Sequence, residues 1–103
     1  MDLFKMLKEA QKMQATIAKA RKEIQKLELN VERDGVKVTI NGIFKITGLK
    51  ITNEALLSDK TKLEKTILSC LNEAFEAMQK EAQKKMQELL KDLPVNELGP
   101  FLS

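Results

Sequence analysis

Leu29-Asn30-Val31-Glu32-Arg33-Asp34-Gly35-Val36-Lys37-Val38-Thr39-Ile40 is the stretch on which the fold turns. Apolar and polar residues alternate on both sides of Asp34-Gly35, and Asp-Gly is a strong two-residue hairpin turn. That turn sets Val31 opposite Val38, Leu29 opposite Ile40 and Glu32 opposite Lys37. Apolar side chains then meet on one face and opposite charges on the other. Strands are predicted over 28–33 and 36–41. Asn41-Gly42 marks a second turn, but a two-residue loop there would put Val38 opposite Lys45. One more residue sets Ile40 opposite Phe44 and Val38 opposite Ile46, so a bulged or longer turn is expected. Beyond Thr47-Gly48 the apolar phase shifts to Leu49 and Ile51, which predicts a second bulge. A third strand over 44–51 completes a three-stranded antiparallel meander.

Helical patterns flank this block. Residues 3–27 contain no Gly or Pro. Leu3, Ala10, Ile17 and Ile24 fall at one heptad position; Met6, Met13, Ala20 and Leu27 fall at the other. Such a seam suits pairing between chains or with a long antiparallel helix. The plainer alternative is one helix packed on its own domain. Thr52-Asn53-Glu54-Ala55-Leu56-Leu57 reads as a capped single turn. Ser58 or Thr61 then starts a helix over 59–93, with Glu64 at capping-box spacing from Thr61. Its apolar stripe runs through Leu63, Ile67, Cys70 or Leu71, Ala74, Met78, Ala82, Met86, Leu89 and Leu93. The first half, with Phe75, is expected to cover the sheet, and the second half to protrude. Pro94 should stop the helix, leaving 94–103 as a flexible tail behind a single domain over 1–93. The fold class is α+β, in the order α-β-β-β-α.

Composition narrows the chemistry. The 103 residues include no histidine, tryptophan or tyrosine, and one cysteine. Cys70 cannot form an internal disulfide, and its place on the apolar stripe suits a buried structural thiol. The usual zinc and iron sites and the commonest acid–base group are missing. No catalytic constellation, cofactor site or metal site is expected. No run approaches a membrane span, and no signal peptide is evident, so a cytoplasmic protein is expected. Net charge is +3, but residues 1–27 carry seven Lys/Arg against three Asp/Glu.

Those basic residues are ordered. Lys5, Lys12, Lys19 and Lys26 recur every seven residues, and Lys8 and Lys22 share the neighbouring outward position. The row is ~32 Å long at the helical rise, about one turn of duplex DNA. Ammonium groups so placed give salt-dependent, largely sequence-independent binding to phosphates. Arg21 sits near the edge of the row, and Lys84 and Lys85 form a smaller patch diluted by Glu76, Glu81 and Glu88. The bland alternative for all of them is a solvated helix face.

Several segments resemble the YbaB/EbfC family. Leu7-Lys8-Glu9-Ala10-Gln11-Lys12-Met13-Gln14 is similar to its opening helix, and Val36-Lys37-Val38-Thr39-Ile40-Asn41-Gly42 to its central strand and turn. Ile51-Thr52-Asn53-Glu54-Ala55-Leu56-Leu57 resembles its strand end and short turn. Leu63-Glu64 and Leu71-Asn72-Glu73-Ala74 resemble its last helix. The resemblance covers about 3–90. It implies a tweezer-shaped homodimer joined through the β-regions, whose apolar face here is Leu29, Val31, Val38, Ile40, Phe44 and Ile46. It also implies binding of duplex DNA through the helices, nucleoid association and an influence on gene expression. Asp34-Gly35 stands where the family often has a glycine-rich segment, and Thr52-Asn53 where Asp-Pro is common. The rival is a protein-binding scaffold or chaperone-like clamp touching its partner through Phe4, Leu7 and Leu90. An enzyme would need a convergent polar pocket, for which no residues are evident.

Overall fold

Asp2 begins the first helix by accepting a hydrogen bond from the Phe4 N–H at 3.0 Å, satisfying one of the donors a helix start leaves free. A computed structural model describes residues 2–91. Helix α1 spans Leu3–Gln25, β1 Glu28–Arg33, β2 Val36–Asn41 and β3 Ile46–Ile51. A single 3₁₀ turn over Glu54–Ser58 precedes α2, Lys60–Leu90. The order is α-β-β-β-α, with antiparallel strands in the order β1-β2-β3. Leu93, Pro94 and the tail expected over 94–103 lie outside the described residues.

Asp34 and Gly35 both take positive φ, 49° and 94°, as a primed two-residue turn requires. The β1–β2 register pairs Leu29 with Ile40, Val31 with Val38 and Glu32 with Lys37. The second turn departs from expectation. Ile40 pairs with Ile46 and Val38 with Leu49, not with Phe44 and Ile46. Four residues, Gly42, Ile43, Phe44 and Lys45, separate the strands, with Phe44 in the left-handed region at φ 62°. The Asn41 side chain accepts from the N–H groups of Ile43 and Lys45, each at 3.1 Å, and holds that loop. β3 therefore starts at Ile46 rather than 44. The second bulge falls at Thr47, between the Ile40–Ile46 and Thr39–Gly48 pairs.

The central strand makes the core. Val36, Val38 and Ile40 are fully buried beneath Leu56, Cys70, Ala74 and Met78, each such burial stabilising by roughly 2 kcal/mol. The Cys70 thiol lies 3.4 Å from the Val31 carbonyl and 3.5 Å from that of Val36. Desolvation pushes its pKa up. α2 packs across β1 and β2 and leaves β3 largely uncovered. Its N-cap is Asp59, whose carboxylate accepts from the Lys62 N–H at 3.1 Å. Neither Ser58 nor Thr61 starts it, because Ser58 closes the 3₁₀ turn and Thr61 is already inside the first helical turn.

α1 runs back along the far half of α2. Met13, Ala20 and Leu90 form a second buried cluster, with Ile17, Met86 and Leu89 around it. Ala20 lets the two helices approach closely, while Met13 and Met86 fill the gaps. The heptad seam is thus used within the chain, in an antiparallel pair, over its C-terminal part. Leu3, Met6 and Ala10 remain exposed. α1 ends at Gln25, short of 27, because the Leu27 N–H bonds the Ile24 carbonyl at 3.0 Å and turns into β1. The Gly42 N–H donates to the Leu27 carbonyl at 2.9 Å, seating the root of α1 on the second turn. The molecule extends 71 × 20 × 16 Å.

One ion pair ties β1 to α2. The Arg33 guanidinium grips the Glu73 carboxylate with Nε–Oε2 at 2.6 Å and Nη2–Oε1 at 2.7 Å. The hydrogen bond and charge of Arg33 hold the Glu73 carboxyl below its usual pKa. A depressed carboxylate contributes stability above its unfolded value, near 4.5, and loses it as pH falls through the lower folded value. The urea midpoint of Arg33→Gln should therefore lie below the parent's at neutral pH and converge with it as pH falls below about 4.5. Urea midpoints at neutral and acid pH measure this, and parallel acid limbs for the two proteins would refute it. Arg33 is well exposed and Glu73 half-buried, so solvent screening keeps the effect modest.

Candidate nucleic-acid interface

A helix places each residue about 100° from the last, so the face of α1 opposite Met13, Ile17 and Ala20 is set by sequence alone. Lys5, Lys8, Lys12, Lys19 and Lys22 lie on that face, away from α2, and all are exposed. Lys26 sits at the helix C-cap, exposed, with Nζ 3.8 Å from a Glu23 carboxylate oxygen. Among the described residues, it is the one member of the row that shares its charge with a neighbour in an ion pair. From Met13 onward the other side of the helix packs on α2, so Lys12, Lys19 and Lys22 stand on a backed rod, while Lys5 and Lys8 lie on the first turns, where the seam residues are exposed.

The other basic residues lie elsewhere. Arg21 is turned about 100° from Lys22 and lines a shallow depression with Gln14, Ile17 and Ala18. It belongs to the flank next to the seam, not to the row. Lys84 is exposed and Lys85 half-buried. Lys84 precedes Met86 by two residues, about 200° round the helix, which puts it on the side of α2 turned away from α1. The two basic patches therefore do not form one surface.

The β-region residues divide in a way their alternation did not reveal. Val38 and Ile40 are fully enclosed by α2 of the same chain, and Leu29, Val31 and Ile46 pack against that core. Burial under α2 removes Val38 and Ile40 as direct contacts between chains; Phe44 remains exposed at its turn. A different apolar surface is open. Phe75 lies two residues beyond Glu73, so it occupies the flank of α2 opposite the Arg33 contact, toward β3. Leu68, seven residues earlier, shares that flank. Leu68 is 61% exposed and Phe75 37%, so Phe75 is covered only in part and keeps one side open. With Leu49, Ile51 and Leu57, also exposed, they border the uncovered strand. The seven-residue spacing of Leu68 and Phe75 and the phase shift at Leu49 were the available signals.

The scaffold reading loses one of its contacts, since Leu90 is only 5% exposed and packed against α1. Among the described residues, no helix is long and apolar enough to cross a membrane. Among them, too, no group of three or more acidic or cysteine side chains is placed to hold a metal ion.

Comparison with known proteins supplies the family. The model of the YbaB/EbfC DNA-binding family matches residues 1–93. The chain belongs to this family. A nucleoid-associated protein of Mycoplasmopsis pulmonis (strain UAB CTIP) is 38% identical over 103 residues, covering 98% of this chain and 97% of its own. One from Legionella pneumophila (strain Corby) is 31% identical over 96 residues, covering 91% and 86%. One from Agathobacter rectalis is 31% identical over 87 residues, covering 82% and 77%. For a YbaB/EbfC chain, the departures at Asp34-Gly35 and Thr52-Asn53 have structural work. The Gly35 carbonyl accepts from the N–H groups of Thr52 and Asn53 at 2.7 and 3.2 Å, and the Asn53 side chain caps the 3₁₀ turn.

Proposed function

We propose that this chain is a nucleoid-associated protein that binds duplex DNA as a homodimer, organises the chromosome and thereby influences gene expression. The observation that carries the reading is the row Lys5, Lys8, Lys12, Lys19 and Lys22, with Lys26 at its root, on the free side of α1. Phosphates are its natural counter-charge, and binding through them is insensitive to base sequence. Arg21, Lys84 and Lys85 lie off this row and play a lesser part. The chain acts in the cytoplasm on the nucleoid, without membrane, cofactor, metal or small-molecule substrate, and as no enzyme. The names of the relatives support the reading.

The second copy docks on the uncovered side of β3. Leu49, Ile51, Leu57, Leu68 and Phe75 form an apolar border that one chain leaves open, and a twofold contact would bury it twice. Leu29, Val31, Val38, Ile40 and Ile46 support that contact from within the core, and Phe44 lies at its turn end. Each copy then holds its helix pair outward, as the arms of tweezers.

The test is titration of a labelled duplex at several salt concentrations, with sedimentation on the same sample. Affinity falling steeply with salt and a two-chain species are expected. A single-chain species, or affinity independent of salt, would overturn the reading. Leu68→Glu with Phe75→Glu should give a folded single-chain protein, because neither side chain is part of the buried core. Unchanged size at equal concentration would dismiss this interface.

A further inference from the structure

We infer that Phe4 is the apolar contact of the DNA interface, its ring set against a base step at the outer end of the lysine row. The inference rests on the duplex-binding reading above. Phe4 is 81% exposed, the most exposed large apolar side chain among the described residues. It stands eighteen positions before Lys22, five whole turns at 3.6 residues per turn, so both project along one line. Lys8 lies one turn from Phe4 on the same side. The heptad seam does not account for this ring, because the seam positions at this end are Leu3 and Met6.

The backbone that carries the ring is also held. The Asp2 side chain accepts from the Phe4 N–H at 3.0 Å, and the Asp2 carbonyl accepts from the Met6 N–H at 3.2 Å. The first turn is therefore capped, and Phe4 stands on ordered backbone. A phenyl ring beside phosphate-binding lysines meets two kinds of DNA surface. The phosphates suit the lysines; the apolar surface between bases suits the ring. Apolar side chains wedged at a base step partly unstack it and kink the duplex. A contact of this kind releases no counterions, which separates it from the lysines in measurement.

Phe4→Ala, checked for folding by circular dichroism, is compared with the parent protein on a duplex carrying a fluorescent base analogue and end labels for energy transfer. The expected result is roughly tenfold weaker binding at every salt concentration, as for loss of an aromatic–base contact. The salt slope should stay unchanged, and the base-analogue signal and bend should diminish. Unchanged affinity and unchanged signals, while the parent still binds with a steep salt slope, overturn the role of Phe4 alone. A change in assembly size with DNA signals intact would make the ring a contact between proteins and overturn it too. Failure of the parent to bind duplex at low salt would remove the underlying reading and this inference together.

Discussion

Gly42→Ala is expected to cost about 3 kcal/mol of stability, the upper part of the range for overpacked sites. Gly42 is buried at the turn after β2, where the last turn of α1 rests on it. A Cβ there would stand 1.7 Å from the Ile24 carbonyl oxygen and 2.6 Å from the Ile24 carbonyl carbon. Both are backbone atoms, so no side chain can swing aside. Either α1 lifts off the turn or the turn leaves the sheet, and both break the bond from the Gly42 N–H to the Leu27 carbonyl. Urea unfolding of the two proteins measures the loss. Gly48→Ala is the control, since its Cβ would meet only the Thr39 side chain, at 3.4 and 3.6 Å. Equal midpoints for Gly42→Ala and the parent would show that α1 is not seated there.

Lys8→Gln, Lys12→Gln, Lys19→Gln and Lys22→Gln combined should weaken duplex binding on the order of 10³-fold at 0.1 M salt for each arm that touches the duplex. Each ammonium–phosphate contact releases about 0.9 of a counterion, so each contributes nearly one decade at that concentration. The slope of log affinity against log salt should shrink by about 3.6 per arm in contact. The four positions are exposed, and removing their charge leaves the helix pair intact. The same four changes should act alike on duplexes of any sequence. A slope as steep as the parent's would mean that DNA lies on another face.

The hairpin about Asp34-Gly35 was legible because its two signals are local and agree. The turn dipeptide demands positive φ, and the alternation beside it permits one register. The next turn was harder. A left-handed loop position ordinarily falls to glycine, and here Phe44 occupies it, so nothing in the sequence marked the true offset of β3. The direction of the lysine row was legible for the same reason as the hairpin, since helical phase needs no tertiary knowledge. The place of Val38 and Ile40 in a dimer turned on a different point. Alternation reveals that a face is apolar but not what lies on it, and α2 of the same chain claimed that face first. Phe75 shows the converse. Its place in an apolar run suggested the sheet, yet two residues of helical phase from Glu73 carry it to the open flank.

The pairing of α1 with α2 also fixes the calibre of the arm. Helix axes pack 8–10 Å apart, and each helix is about 10–12 Å wide, so the paired portion is about 20 Å thick. The major groove is about 12 Å wide, so broadside the doublet does not fit and would bridge the phosphate ridges, blind to the letters between them. Edge-on, with α2 behind it, α1 has the calibre to enter by its free lysine face, as a recognition helix backed by another does. On the duplex-binding reading proposed above, any preference among sequences would therefore depend on which way the arm rolls about its own axis.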